Sequence, residues 1–277
     1  MPKVLTHQQI DDFHVLGFVG CVDVMSEDEA AVIMQKLECS ERDFPELINP
    51  EKRNNAHVCF TFLDELAYHP RIVGAVEDLL GPDLSLWASV LFIKEPSSPQ
   101  FVSWHQDATY MGMNSNDFVT PWLALSHSNQ DTGCMSMIPG SHKESIYEHK
   151  DTFADDNILT RGQKVVGMDA STAVDLVLKP GQMSLHHGQI IHGSRPNRSK
   201  ERRIGFALQS YMRPDVMQMV GDNYWLDIQG QCERGESSVS LPRPEYDAAP
   251  AAVALREKVD KNMAAILYRG AEKRRAF

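Results

Sequence analysis

The segment VSWHQDATY, residues 102–110, sets His105 and Asp107 two positions apart among apolar and aromatic neighbours. In an extended strand, residues i and i+2 face the same side. That spacing would present an imidazole and a carboxylate to one space. Short pairs of this kind are common by chance, and the plainer reading is a half-buried histidine beside a solvated acid. A second stretch, HHGQIIHGSRPNRSKERRIGFALQSYMR, changes the balance: it holds His186, His187 and His192, with Arg203 eleven residues beyond His192. Two histidines and one carboxylate on one face of a metal make the facial triad of non-haem Fe(II) oxygenases, which leaves positions open for substrate and dioxygen. A closed structural zinc site would use more thiolates. Arg203 fits the same chemistry, because a planar guanidinium can grip a co-substrate carboxylate through two hydrogen bonds.

His192 is the better candidate for the third ligand: it heads the tripeptide HGS, and in an extended segment it shares a face with Ser194. His186 and His187 read as packing residues or outer supports. His142 belongs to a turn, Cys134 to packing, and Trp87, Trp104 and Trp122 to a core. The basic run Arg195, Arg198, Lys200 and Arg202 reads first as a solvated loop.

The elements that must position these residues follow from capping and periodicity. Thr6 caps a helix that Gly17 ends, and FVGCVDV reads as a strand. Ser26 and Glu29 form a capping box for a helix through Cys39. A further helix is expected from about Leu63 to Leu80, with His69-Pro70 as a possible interruption. From Leu84 the texture turns to β: LSLWASVLFIKE, TPWLALSHS, CMSMIPGSH, AVDLVLKPGQMSLHHGQIIHGS and RRIGFALQSYMR read as short strands between Gly- and Pro-containing turns. Residues 144–172 read as a surface excursion or a lid, 235–250 as a loop, and the tail from Ala251 as an amphipathic helix. That helix has three possible places: on its own domain, over the site, or against another chain. Helices, then many strands, then a helix describe an α+β sandwich or barrel rather than βαβ units.

The chain has 277 residues and a net charge of −11, which argues against a broad nucleic-acid or anionic-membrane surface. Cys21, Cys39, Cys59, Cys134 and Cys232 show no CxxC spacing and read as reduced thiols of a cytoplasmic protein. No signal-peptide core and no membrane-length apolar run is present.

Taken together, WHQD at 104–107, GCMSMIPGSHK at 133–143, LKPGQMSLHHGQIIHGSRPNRS at 178–199, Arg203 and the opening LTHQQIDDFHVLGFV resemble the phytanoyl-CoA dioxygenase family, over roughly residues 5–214. The resemblance implies a double-stranded β-helix (jelly-roll, cupin-like) core with N- and C-terminal helices. Within one oxygenase domain spanning 1–277, it divides the chain into a helical part to about 82, a β core to about 214 and an extension beyond. It implies Fe(II) held by His105, Asp107 and His192, with 2-oxoglutarate and dioxygen as co-substrates. Arg203 and Ser194 would bind the distal carboxylate of 2-oxoglutarate, with Gln106 and Trp122 nearby. The implied reaction is hydroxylation of a small-molecule substrate. The first choice is a small polar organophosphonate such as 2-aminoethylphosphonate, with Lys94, Tyr110 and Arg195 as candidates for its anionic headgroup. An acyl-CoA, an amino acid or a natural-product intermediate are alternatives. A non-catalytic binding protein of this fold, or a metal-dependent hydrolase, would not need the full set with Arg203. Oligomeric state is not legible in the pattern.

Overall fold

The computed structural model describes residues 1–232, 234 and 238–275. In chain order the elements are α1 (His7–Leu16), β1 (Phe18–Asp23), α2 (Glu27–Asp43), α3 (Thr61–Ala67), α4 (Pro70–Leu80), β2 (Leu84–Lys94), β3 (Val102–His105), α5 (Ala108–Met111), β4 (Val119–Ala124) and β5 (Met135–Met137). There follow β6 (His149–Lys150), β7 (Lys164–Val165), β8 (Val174–Leu176), β9 (Gln182–His187), β10 (His192–Ser194), β11 (Arg203–Met212), β12 (Asn223–Gln229), β13 (Ser238–Ser240) and α6 (Pro250–Leu267).

Local chemistry sets the helix ends. Thr6 and Gln9 form a reciprocal capping box at the start of α1, and Gly17 closes the helix in the left-handed region at φ 88°. Ser26 and Glu29 do the same for α2, which runs four residues past the expected Cys39 to Asp43. The single helix expected over 63–80 is two. His69 is extended and caps α4, and Pro70 occupies its first turn. Proline has no N–H to give to a preceding turn and pushes the residue before it out of the helical region.

The strands form a seven-stranded sheet, β1-β9-β4-β11-β2-β12-β13, facing a four-stranded sheet, β3-β10-β5-β8, with β6-β7 as a small ribbon. This is the expected double-stranded β-helix. Among these strands the pairings are antiparallel except β12 with β13. Neither of those two strands was expected: β12 passes unnoticed in the sequence, and β13 lies in the segment read as a loop, whose first residues fall outside the described ones.

Alternation along β11 shows how the layers divide. Ile204, Phe206 and Leu208 join the core beneath α3 and α4, where Phe62, Leu63 and Ile72 are fully buried. Each such side chain contributes roughly 1.5–3 kcal/mol on burial. The opposite parity, Arg203, Ala207 and Gln209, faces the space between the sheets and lines a cavity of about 470 Å³. The segment 144–172 is only in part a surface excursion: Asn157, Leu159, Arg161 and Gln163 are buried, because they wall this cavity or hold its wall in place.

Candidate active site

His105 ends β3, and His192 begins β10 directly opposite it in the antiparallel register. Their imidazole centroids are 4.1 Å apart. Asp107 reaches the same place by a route the spacing argument did not foresee. The backbone is not extended there: Asp107 has helical angles, φ −56° and ψ −42°, at the start of α5. The turn that returns it is fastened by Gln106, whose amide donates to Gln189 O at 2.8 Å and accepts from Tyr147 N at 2.8 Å. Ala108 N also donates to Gly188 O at 2.9 Å.

Ligand atoms of His105, Asp107 and His192 lie within 4.8 Å of one another. Each histidine has its Nδ1 on a backbone carbonyl, His105 on Ser103 O at 2.9 Å and His192 on Ile190 O at 3.1 Å. A carbonyl only accepts, so Nδ1 carries the proton and Nε2 presents a lone pair. This is the outer hydrogen bonding that orients metal-bound histidines. The two Nε2 atoms converge on Asp107 Oδ1, at 3.3 and 3.9 Å. Burial opposes charge on Asp107, but the imidazoles of His192, His105 and His186 outweigh it and hold the carboxyl well below the usual range. Burial, and then the neighbouring His105, hold His192 well below the usual histidine value, in its neutral form. A neutral His192 beside an ionised Asp107 matches the protonation states a divalent cation requires. The donor set fits Fe(II).

The fit extends to an anionic co-substrate. Arg203 is 1% exposed, and its Nε and Nη1 have no hydrogen-bond partner among the described residues. Its guanidinium carbon lies 5.1 Å from the Trp122 ring centroid. Trp122 can lie there because position 205 is glycine: a Cβ would stand 1.8 Å from Trp122 Cζ2. Burial pushes the Arg203 pKa down to about 10. A buried cation with free donors facing a cavity is costly unless an anion fills it. Ser194 lines the same cavity, and its hydroxyl accepts from Lys94 Nζ at 2.6 Å, leaving its own proton to donate.

Three expected contacts are corrected. Lys94 is wholly buried and outside the cavity lining; its ammonium is committed to Ser194 Oγ, Gly133 O and Arg195 O. Buried behind the lining with its donors taken up, it is not placed to meet a substrate, and burial and the adjacent Arg203 push its pKa down to about 6. Arg195 points to solvent and pairs with Asp175 at 3.2 Å. Gln106 spends its amide on the turn and does not line the cavity, so direct contact with a co-substrate is not supported. Tyr110 and Trp122 do line it. In the basic run, Arg202 is not a free loop cation: it bridges Glu41 and Glu95.

Sequence reasoning read His186 and His187 alike, as packing residues or outer supports, and did not foresee which residues form the outer wall. His186 lines the cavity with Nε2 3.5 Å from Asp107 Oδ2, whereas His187 turns to the opposite face of β9 and accepts from Gln189 N at 3.1 Å. The signal was available in the alternation: Met183 and Leu185 are core residues, which puts His186 on the inner face. The outer wall comes from Met263 and Leu267 of α6, with Tyr268 and Arg275 after it, so the terminal helix packs on its own chain and covers the site. Tyr268 Oη donates to Thr160 O at 3.0 Å, and Arg275 donates to Asn157 O at 2.9 Å and Ala154 O at 2.6 Å.

Residues 17–205, more than half of the chain, match the phytanoyl-CoA dioxygenase family. The chain is 30% identical over 191 residues to a probable alpha-ketoglutarate-dependent hypophosphite dioxygenase of Stutzerimonas stutzeri, covering 68% of this chain and 66% of that protein. It is 28% identical over 136 residues to the human peroxisomal phytanoyl-CoA dioxygenase, covering 47% of this chain and 40% of that one. The matched segments thus span two thirds or less of these curated relatives. Among solved structures, the apo form of the non-heme monooxygenase ThoJ superposes with a TM-score of 0.84 at 28% identity, covering 96% of this chain and 100% of that one. CytC3 with Fe(II) and alpha-ketoglutarate shares the fold, with a TM-score of 0.68 at 22% identity over 90% of this chain and 98% of that one.

Proposed function

The chain belongs to the phytanoyl-CoA dioxygenase family, and from that premise we propose that it hydroxylates an aliphatic carbon of a small polar metabolite, using Fe(II), 2-oxoglutarate and dioxygen. One observation carries the reading: the His105–Asp107–His192 cluster and the unpartnered, buried Arg203 open into one cavity. A hydrolase or a simple metal-binding module has no use for the second feature.

In this reading His105, Asp107 and His192 hold the iron, and Arg203 with Ser194 holds the distal carboxylate of 2-oxoglutarate. Bound iron supplies activation of dioxygen coupled to oxidative decarboxylation of 2-oxoglutarate to succinate. Trp122 keeps the guanidinium aimed inward. Met111, Met263 and Leu267 keep water from the reacting carbon. The whole chain works as one catalytic unit, since α6 and the segment after it complete the cavity. Acting on a small molecule, the protein needs no nucleic-acid or membrane partner, and we assign it to the cytoplasm. Among the described residues, no helix is long and apolar enough to cross a membrane.

For the substrate we infer an organophosphonate such as 2-aminoethylphosphonate. Similarity to a protein named for hypophosphite supports a phosphorus oxyanion. The cavity volume of about 470 Å³, with Tyr110 and Arg53 on its lining and Arg53 Nε unpartnered among the described residues, supports a small anionic molecule. The test is succinate formation by purified protein with Fe(II), 2-oxoglutarate and oxygen, over a panel of phosphonates, amino acids and acyl-CoA compounds. Succinate dependent on 2-aminoethylphosphonate is the expected result, and His105→Ala should abolish it with the fold intact. Succinate with another compound discards the phosphonate. Succinate formation retained by His105→Ala refutes the metal site.

A further inference from the structure

The two oxygens of Asp107 have different surroundings. Oδ1 faces the Nε2 atoms of His105 and His192, at 3.3 and 3.9 Å. Oδ2 faces Nε2 of His186 at 3.5 Å. His186 is 2% exposed, its ring centroid is 4.7 Å from that of His192, and neither of its nitrogens has a hydrogen-bond partner of good geometry. It does not belong to the set of mutually close ligand atoms. A buried imidazole without partners costs free energy that an apolar ring at the same place would avoid. A polar ring is therefore explained here by an acceptor that it meets when the site is loaded. Among the described residues, the acceptor it faces is Oδ2.

Resting on the reading of His105, Asp107 and His192 as metal ligands, we infer that His186 is a positioning residue that donates its Nε2–H to Asp107 Oδ2 and holds the carboxylate as a one-oxygen ligand. A carboxylate free to rotate can bind a metal through both oxygens and take up one more coordination position. With Oδ2 tied to His186, the protein contributes three atoms, and the rest stay open for a chelating keto acid and dioxygen. Outer hydrogen bonds of this kind typically change metal affinity by about 10–100-fold.

The probe is Co(II) titrated into purified full-length protein without co-substrate. His186→Phe fills the same volume without a donor, and His186→Gln places an amide N–H near the position of Nε2. We expect His186→Phe to raise the Co(II) Kd about 10–100-fold and to weaken the visible d–d absorption of bound Co(II), which falls as coordination number rises. His186→Gln should restore both. Without metal, His186→Phe should unfold at the wild-type temperature or above, whereas a residue needed only for packing polar neighbours would lower it. An unchanged Kd in His186→Phe overturns the inference, as does equal weakening by Phe and Gln. Wild-type protein that binds no Co(II), or His105→Ala that binds it normally, refutes the metal site itself instead.

Discussion

Arg203 yields a prediction with opposite signs in two states of one protein. Its cation is 1% exposed and has two unpartnered nitrogens, so the unliganded fold bears the cost of burying it. The pKa displaced from 12.5 to about 10 corresponds to about 3 kcal/mol. Arg203→Met keeps apolar volume against Trp122 and removes the charge. Apolar replacement of a buried ion is often stabilising by ~1–4 kcal/mol, so the unliganded variant should unfold several degrees above wild type. With 2-oxoglutarate the order reverses. Two charge-assisted hydrogen bonds to the distal carboxylate are worth roughly 1.5–3 kcal/mol each, and losing them should weaken binding by about 10²-fold or more. Thermal unfolding with Mn(II), across a series of 2-oxoglutarate concentrations, reads both effects. Wild type should rise with ligand as mass action requires, and the variant should start higher and stay flat. A variant less stable than wild type without ligand, or one with a wild-type ligand response, would refute the argument that this arginine is an unfilled anion site.

Two other perturbations follow from the same geometry. Lys94, pushed down to about 6, binds a proton in the unfolded chain up to about pH 10.5 but in the folded chain only up to about pH 6. Stability therefore gains from this residue as pH rises between those values, and Lys94→Met should stabilise most near pH 6 to 7, with the advantage shrinking toward pH 9 in urea titrations; a pH-independent difference would contradict this. Arg275→Ala removes the bonds to Asn157 O and Ala154 O and should speed amide hydrogen exchange across 154–160, leaving Co(II) affinity at the wild-type value; protection equal to wild type would show that the tail does not hold this wall.

What the sequence disclosed was governed by short-range rules, and what it hid was governed by long-range ones. The capping boxes at Thr6 and Ser26 follow from patterns a few residues long, whereas the meeting of His105 with His192 across β3 and β10 was reached through the family resemblance. Asp107 does lie beside His105 and His192, yet the warrant from strand alternation was wrong. It arrives by a turn held through Gln189 and Tyr147, contacts 83 and 41 residues away from Gln106 that no local pattern encodes. Lys94 looked like a free cation because nothing in IKE reveals that Arg203 is its register partner and Ser194 its acceptor. Strand β13 went unread because it is three residues long and pairs with β12 in parallel, without a hairpin turn to mark it.

The division of the cavity bears on why relatives that share the site can differ in substrate. The three candidate ligands, Ser194, Trp122 and Arg203 all lie within the matched span 17–205. Gln209, Met263, Leu267, Tyr268 and Arg275, which form the outer part of the cavity wall, lie beyond it, whereas Arg53, Tyr110 and Asn157 on the same lining lie within it. The iron and co-substrate chemistry needs a fixed constellation, whereas a substrate wall needs only to match its own ligand. A wall built from a terminal helix and the loop it clasps can change without disturbing the register of β3, β10 and β11. The phosphonate reading therefore has a physical test in Met263, Leu267 and Tyr268, which line the cavity outside the family match and can be exchanged without touching the candidate ligands.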